Sequence, residues 1–108
     1  MPFYNLSQRP SKEIWPGLTG QFHHSDSHTF GLIQIEEGAV LPEHHHVHEQ
    51  YTYVLEGRLE FTIGGETQIA EAGTLSHIPS NVPHSARALT KVTVLDAFNP
   101  VREDIRNS

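Results

Sequence analysis

The chain has 108 residues, 36% of them hydrophobic, with a formal net charge of −6 and no cysteine. That length fits one domain, residues 1–108, without room for a second core, and the missing cysteines exclude disulfides, thiolate nucleophiles and cysteine-ligated zinc together. The acidic balance argues against nucleic acid or an anionic membrane surface as a partner. No run of 18 apolar residues offers a transmembrane helix, and the opening MPFYNLSQRP has neither the basic nor the apolar region of a signal peptide. These features predict a soluble, cytoplasmic protein, and the thin apolar content predicts a homodimer in which pairing supplements the core.

In chain order, residues 1–16 read as an arm with three prolines, ending in an extended segment around Ile14 and Trp15 that is expected to pack on the partner subunit. Gly17 to Gly20 is read as a turn, with a strand beginning near Phe22 to His24. Thr29 to Glu36 alternates as a strand and stops at Glu37-Gly38. His44 to Leu55 is rich in Tyr, Thr and Val and reads as one long strand closed by Glu56-Gly57. Arg58 to Ile63 places Leu59, Phe61 and Ile63 on one face, and Gly64-Gly65 makes a two-residue hairpin loop. Thr67 to Ala70, Thr74 to Ile78, His84 to Leu89 and Val92 to Phe98 follow as short strands, and the tail from Pro100 has room for one helical turn. Eight or nine strands at roughly ten-residue intervals, with no sustained helical period, predict an all-β sandwich or barrel.

Histidine is the outlier, with nine in the chain. In PEHHHVHEQYTYVLEG, His44, His46 and Gln50 share parity, so a regular strand presents them on one face. Two imidazoles at i and i+2 can reach one ion with bonds of roughly 2.0–2.2 Å. His84, opening a later strand, can close such a site from across a barrel. Glu49 is the rival to Gln50, although its parity points it away from the two histidines. A solvated histidine patch is the plain alternative.

The residues around this cluster resemble the two motifs of the cupin superfamily. The first reads Gly38, AVLPE, His44-His45-His46, VHE, Gln50, YTYVLE, Gly57, spanning residues 38–57. The second, residues 73–88, reads Gly73, TLSHI, Pro79, Ser80, Asn81, VP, His84, with Asn81 standing where a glycine is usual and Ala88 where an Asn is. The resemblance implies a single-domain cupin, a double-stranded β-helix or jelly-roll barrel. It also implies one divalent metal ion on His44, His46, Gln50 and His84. Gln50 stands where the commoner pattern has Glu, which leaves the ion its full charge and favours Lewis-acid chemistry. Imidazole and carbonyl donors suit Zn, Ni, Fe and Mn alike.

A narrower resemblance lies in HEQYTYVLEGRLEFTIGGE, IPSNVPHSA and LDAFNPVRED, which are similar to the family of pectin-degradation cupins that linearise unsaturated uronates. It implies conversion of a 4,5-unsaturated monouronate, from pectin or alginate breakdown, to the open-chain 4-deoxy-5-keto uronate. Asp96, Phe98 and Arg102 match that family's Asp, Phe and Arg spacing, while Thr52 stands where the family has a second glutamine. Asp96 and Arg102 are therefore the candidate catalytic pair, and Phe98, Thr52 and His24 the candidate contacts to a small carboxylated sugar.

The residues themselves fit those roles. An inward Asp near a metal can carry a proton, a Phe gives a sugar ring an apolar wall, and an Arg fork matches a carboxylate. The plain readings are a turn cap for Asp96, core for Phe98, and a surface pairing of Arg102 with Glu103 or Asp104. A non-catalytic small-molecule-binding cupin and a cupin dioxygenase are the competing functions, the latter requiring a redox metal and an apolar pocket.

Overall fold

The computed structural model describes residues 2–108; Met1, the first residue of the expected arm, lies outside the described residues. A 3-10 turn at Leu6–Gln8 precedes β1 (Lys12–Trp15), β2 (Leu18–His24), β3 (Thr29–Ile35), β4 (Val40–His44) and β5 (Glu49–Glu56). Then come β6 (Leu59–Ile63), β7 (Glu66–Ala70), β8 (Leu75–Ile78), β9 (His84–Ala88), β10 (Val92–Asn99) and α1 (Glu103–Arg106). The strands form two antiparallel sheets, ordered β1-β2-β3-β10-β5-β8 and β4-β9-β6-β7. The fold is all-β apart from the 3-10 turn and the helical turn in the tail, the second of which the sequence anticipates. No helix among the described residues is long and apolar enough to cross a membrane.

Period-2 alternation decides which side chains face inward. On β5, Gln50, Thr52 and Val54 are buried while Tyr51, Tyr53 and Leu55 are exposed. On β10, Val92, Val94, Asp96 and Phe98 are all buried. The two strands pair with Val94 opposite Val54, Asp96 opposite Thr52 and Phe98 opposite Gln50. The inward polar groups Gln50, Thr52 and Asp96 thus gather with Phe98 at one end of the barrel, away from Val54, Val92 and Val94. The apolar end is completed by Ile33 and Ile35 of β3 and by Leu59 and Phe61 of β6.

Three strand readings need correction. There are ten strands because β4 exists, a segment the sequence hides behind Pro42; β4 is the edge of its sheet, where a missing N–H is tolerated. β5 begins at Glu49, not His44, since a bend at residues 45–48 separates the two strands. Gly20 lies inside β2, and the turn is confined to Pro16-Gly17. A Cβ at Gly20 or Gly31 would sit 2.5–2.7 Å from the Phe22 ring, so both glycines make room for that ring on the sheet. Gly57, which closes the first motif, has φ 93°, and a Cβ there would meet the Lys91 carbonyl oxygen at 2.2 Å. Asn81 has φ 64°, the left-handed conformation its place in the second motif requires.

Candidate metal centre

The three histidines come from three different local settings. His44 ends β4, His46 sits in the bend, and His84 opens β9 directly opposite His44. The expectation that His44, His46 and Gln50 share one strand face is therefore wrong in its reason. The side chains do converge, but through the bend, with Gln50 alone arriving by strand alternation. One ligating nitrogen from each histidine lies within 4.8 Å of the others, and the group could hold a metal ion.

The hydrogen bonds around the rings fit that use. The Nδ1 atoms of His44, His46 and His84 each lie 2.9 Å from a backbone carbonyl, of Pro42, His48 and Val82 respectively. A carbonyl only accepts, so each Nδ1 carries the proton and each Nε2 presents a lone pair. This is the outer-shell arrangement that orients metal-bound imidazoles. Burial holds His84 neutral by pushing its pKa down to about 4, and burial likewise lowers that of His46, with Arg102 adding to the effect. Neutral imidazole is the form a cation binds.

Gln50 places Oε1 3.1 Å from His46 Nε2. Its amide nitrogen donates to Thr52 Oγ1 at 2.9 Å, and that hydroxyl donates to Asp96 Oδ1 at 2.7 Å. Glu49 points outward to His77 Nε2 at 2.7 Å and stays clear of the triad. Asp96 is buried on β10, and desolvation raises its pKa to about 7, with the Thr52 hydrogen bond and Arg102 opposing.

Arg102 stacks its guanidinium carbon 4.7 Å from the centroid of the Phe98 ring, whose edge also faces His46 at a centroid distance of 6.0 Å. Arg102 Nε and Nη2 donate to the two carboxylate oxygens of Asp104 at 3.0 and 2.8 Å, and this pairing holds the Asp104 carboxyl down to about 2. The plain pairing of Arg102 with Asp104 thus occurs, yet the Arg102 side chain is only 17% exposed and lines the same cavity as the triad.

That cavity has a volume of about 520 Å³, with His44, His46, His84, Gln50, Thr52, Asp96, Phe98 and Arg102 among its lining residues. Its floor is apolar, built from Leu18, Ile33, Ile35, Leu59, Phe61 and Val94. Ala86 and Ala88 also line it, so their small side chains leave it open.

One sequence-based assignment lies apart from this geometry. His24 is not among the cavity-lining residues; its Nδ1 bonds Thr29 Oγ1 at 2.8 Å. Thr52 does line the cavity, with its hydroxyl accepting from the Gln50 amide and donating to Asp96. Conversely, spacing gave no sign of Thr29, which is fully buried and accepts the Arg102 backbone N–H at 2.8 Å, fixing the start of the tail. Asp104, one of the two carboxylates the sequence offered to Arg102, is the one that holds it. His48 Nδ1 is a buried atom without a hydrogen-bond partner among the described residues.

Comparison with known proteins agrees with the fold. A family model described as Cupin domain matches residues 31–98. The pectin degradation protein KdgF of Dickeya dadantii (strain 3937) is 33% identical over 100 residues, covering 90% of this chain and 91% of the relative. Among solved structures, an RmlC-like cupin from Shewanella frigidimarina NCIMB 400 has a TM-score of 0.91 at 29% identity, covering 97% of this chain and 96% of that one. KdgF from Halomonas sp. has a TM-score of 0.89 at 27% identity, covering 97% of this chain and 98% of that one.

Proposed function

Because the chain belongs to the cupin family, we propose that it is a metal-dependent enzyme that opens the ring of a 4,5-unsaturated monouronate to the 4-deoxy-5-keto uronate. The observation that carries this reading is one cavity shared by three convergent imidazoles, a buried carboxyl with a pKa near 7 and a half-committed guanidinium. The relative named for pectin degradation supports the substrate class. Uronates from pectin and from alginate are both included.

His44, His46 and His84 would hold the divalent ion through Nε2, with Gln50 Oε1 as the fourth donor. When bound, the ion supplies Lewis-acid polarisation of a substrate oxygen. None of these four ligands is anionic and Arg102 is close by, so the site favours an anionic ligand. Arg102 retains Nη1, which the Asp104 pairing does not use, to bind the substrate carboxylate. Phe98 gives the ring an apolar wall.

The reaction is an isomerisation. The proton on the C1 hydroxyl leaves, the C1–O5 bond breaks, the C4=C5 electrons move to C4, and C4 takes a proton. Asp96 moves those protons: one carboxyl gives a proton to C4 and recovers one from the C1 hydroxyl. Its Oδ2 makes no hydrogen bond among the described residues, and a pKa near neutrality suits both directions.

The proposal includes a homodimer, supported by the exposed apolar surface of the N-terminal arm at Phe3, Tyr4 and Trp15. An oxygenase acting on an aromatic diol is the second reading, favoured by the apolar cavity floor. Proton NMR of unsaturated galacturonate, mannuronate and guluronate incubated with metal-loaded protein decides between them. The first reading requires the open-chain keto product without oxygen consumption.

A further inference from the structure

Thr52 is 2% exposed and joins Gln50 to Asp96 through one hydroxyl. The hydroxyl gives its single hydrogen to Asp96 Oδ1 and turns a lone pair toward the Gln50 amide nitrogen, whose two hydrogens can only donate. That choice fixes the polarity of the whole chain and leaves Gln50 Oε1 aimed at His46 Nε2, 3.1 Å away. Because His46 Nδ1 already gives its proton to the His48 carbonyl, Nε2 is also a lone pair. Two acceptors therefore face each other, an arrangement that is favourable beside a cation.

Without Thr52 the amide has a better alternative. Turned over, Gln50 would donate its NH2 to His46 Nε2 and satisfy both groups with no ion present. Against the hydroxyl, that flipped amide would set Oε1 on an oxygen whose proton is already committed to Asp96, which is repulsive.

We propose that Thr52 is a positioning residue for the metal centre, holding the Gln50 amide with its oxygen toward the three histidines. This inference rests on the assignment of Gln50 as a ligand in the preceding section and is independent of which substrate is used. It also gives Thr52 a role different from the sugar contact that its position suggested.

Co2+ added to the metal-free protein, followed by its visible d–d absorption, tests this directly. Gln50→Ala and Thr52→Val should each weaken Co2+ binding, the latter by about 10-fold or more, the scale of outer-shell losses at metal sites. Both should shift the Co2+ bands in the same direction. The double variant should bind no more weakly than Gln50→Ala alone, because both changes remove one contribution. Thr52→Ser, which keeps the hydroxyl, should match the unmodified protein. Thr52→Ala carries the same expectation as Thr52→Val should the valine variant not fold. Unaltered affinity and bands in Thr52→Val alongside a weakened Gln50→Ala overturn the role of Thr52, as does a loss that adds in full to that of Gln50→Ala. Unaltered binding in Gln50→Ala itself overturns the ligand assignment instead, so the two failures are distinct.

Discussion

His44 and His84 are register partners across the β4–β9 pairing, the last residue of one strand against the first of the other, with ring centroids 4.2 Å apart. Both Nδ1 atoms are held by backbone carbonyls, so neither ring can turn away without breaking a hydrogen bond. Replacing His44, His46 or His84 by Ala should each lower metal affinity by more than about 100-fold, because a closed ligand set is opened. Gln50→Ala should cost less, since a neutral amide is the weakest donor. Glu49→Ala should leave metal content unchanged, as that carboxylate sits on His77. Elemental analysis of the purified variants reads all five, and an emptied Glu49→Ala protein would reverse the choice of fourth ligand.

Asp96 makes the fold and the reaction pull in opposite directions. Its folded pKa is raised from 3.8 to about 7 by burial, so the folded state keeps a proton that the unfolded chain releases near 3.8. The stabilising consequence is complete below pH 3.8 and is lost as pH rises through about 7. At pH 8 the metal-free protein should therefore gain stability from Asp96→Asn, by up to about 4 kcal/mol for a shift of this size. Near pH 4 the same substitution should change little. Turnover should fall by roughly 10²-fold or more in the same variant with metal content intact. Urea unfolding at the two pH values, with metal analysis, measures this, and a pH-independent difference contradicts it.

Arg102 acts from a prepared position: Thr29 holds its backbone, Asp104 its fork and Phe98 its face. Arg102→Ala should raise KM about 10-fold or more while changing kcat less, since a carboxylate clamp serves ground and transition states alike. Phe98→Ala should lower both kcat/KM and stability, because that ring is 4% exposed and is packed by Arg102 and His46. Steady-state kinetics on a uronate substrate separates the two effects. An Arg102→Ala protein with unchanged KM would show that the guanidinium serves Asp104 alone.

Trp15 is 42% exposed, and its indole N–H donates to the Val40 carbonyl at 3.0 Å. If the arm pairs two copies, light scattering at micromolar concentration should give a dimer and Trp15 fluorescence should be blue-shifted relative to exposed indole. A monomer with water-like Trp15 emission removes the dimer from the account.

Much of this site was legible because strands alternate strictly. Asp96 and Phe98 share the inward face with Val92 and Val94, and Gln50 with Val54, as period 2 dictates. The cluster of His44 and His46 was legible as a metal motif, but for the wrong geometric reason. A bend of four residues is invisible to parity counting, and Pro42 masks the edge strand before it. Thr29 could not be found by spacing, since its role depends on which strand ends meet in space. His24 depends on the same kind of meeting: its ring turns to Thr29 and lies outside the cavity lining.

The central claim is that the metal held in this cavity opens unsaturated uronates. The most direct measurement is the decay of the ultraviolet absorbance of the C4=C5 bond in unsaturated galacturonate, comparing metal-loaded protein, chelator-treated protein and buffer. The account predicts rapid decay with loaded protein, a return to the spontaneous rate after chelation, and recovery when metal is restored. Decay at the spontaneous rate with loaded protein, for galacturonate and for the mannuronate or guluronate form alike, would contradict it.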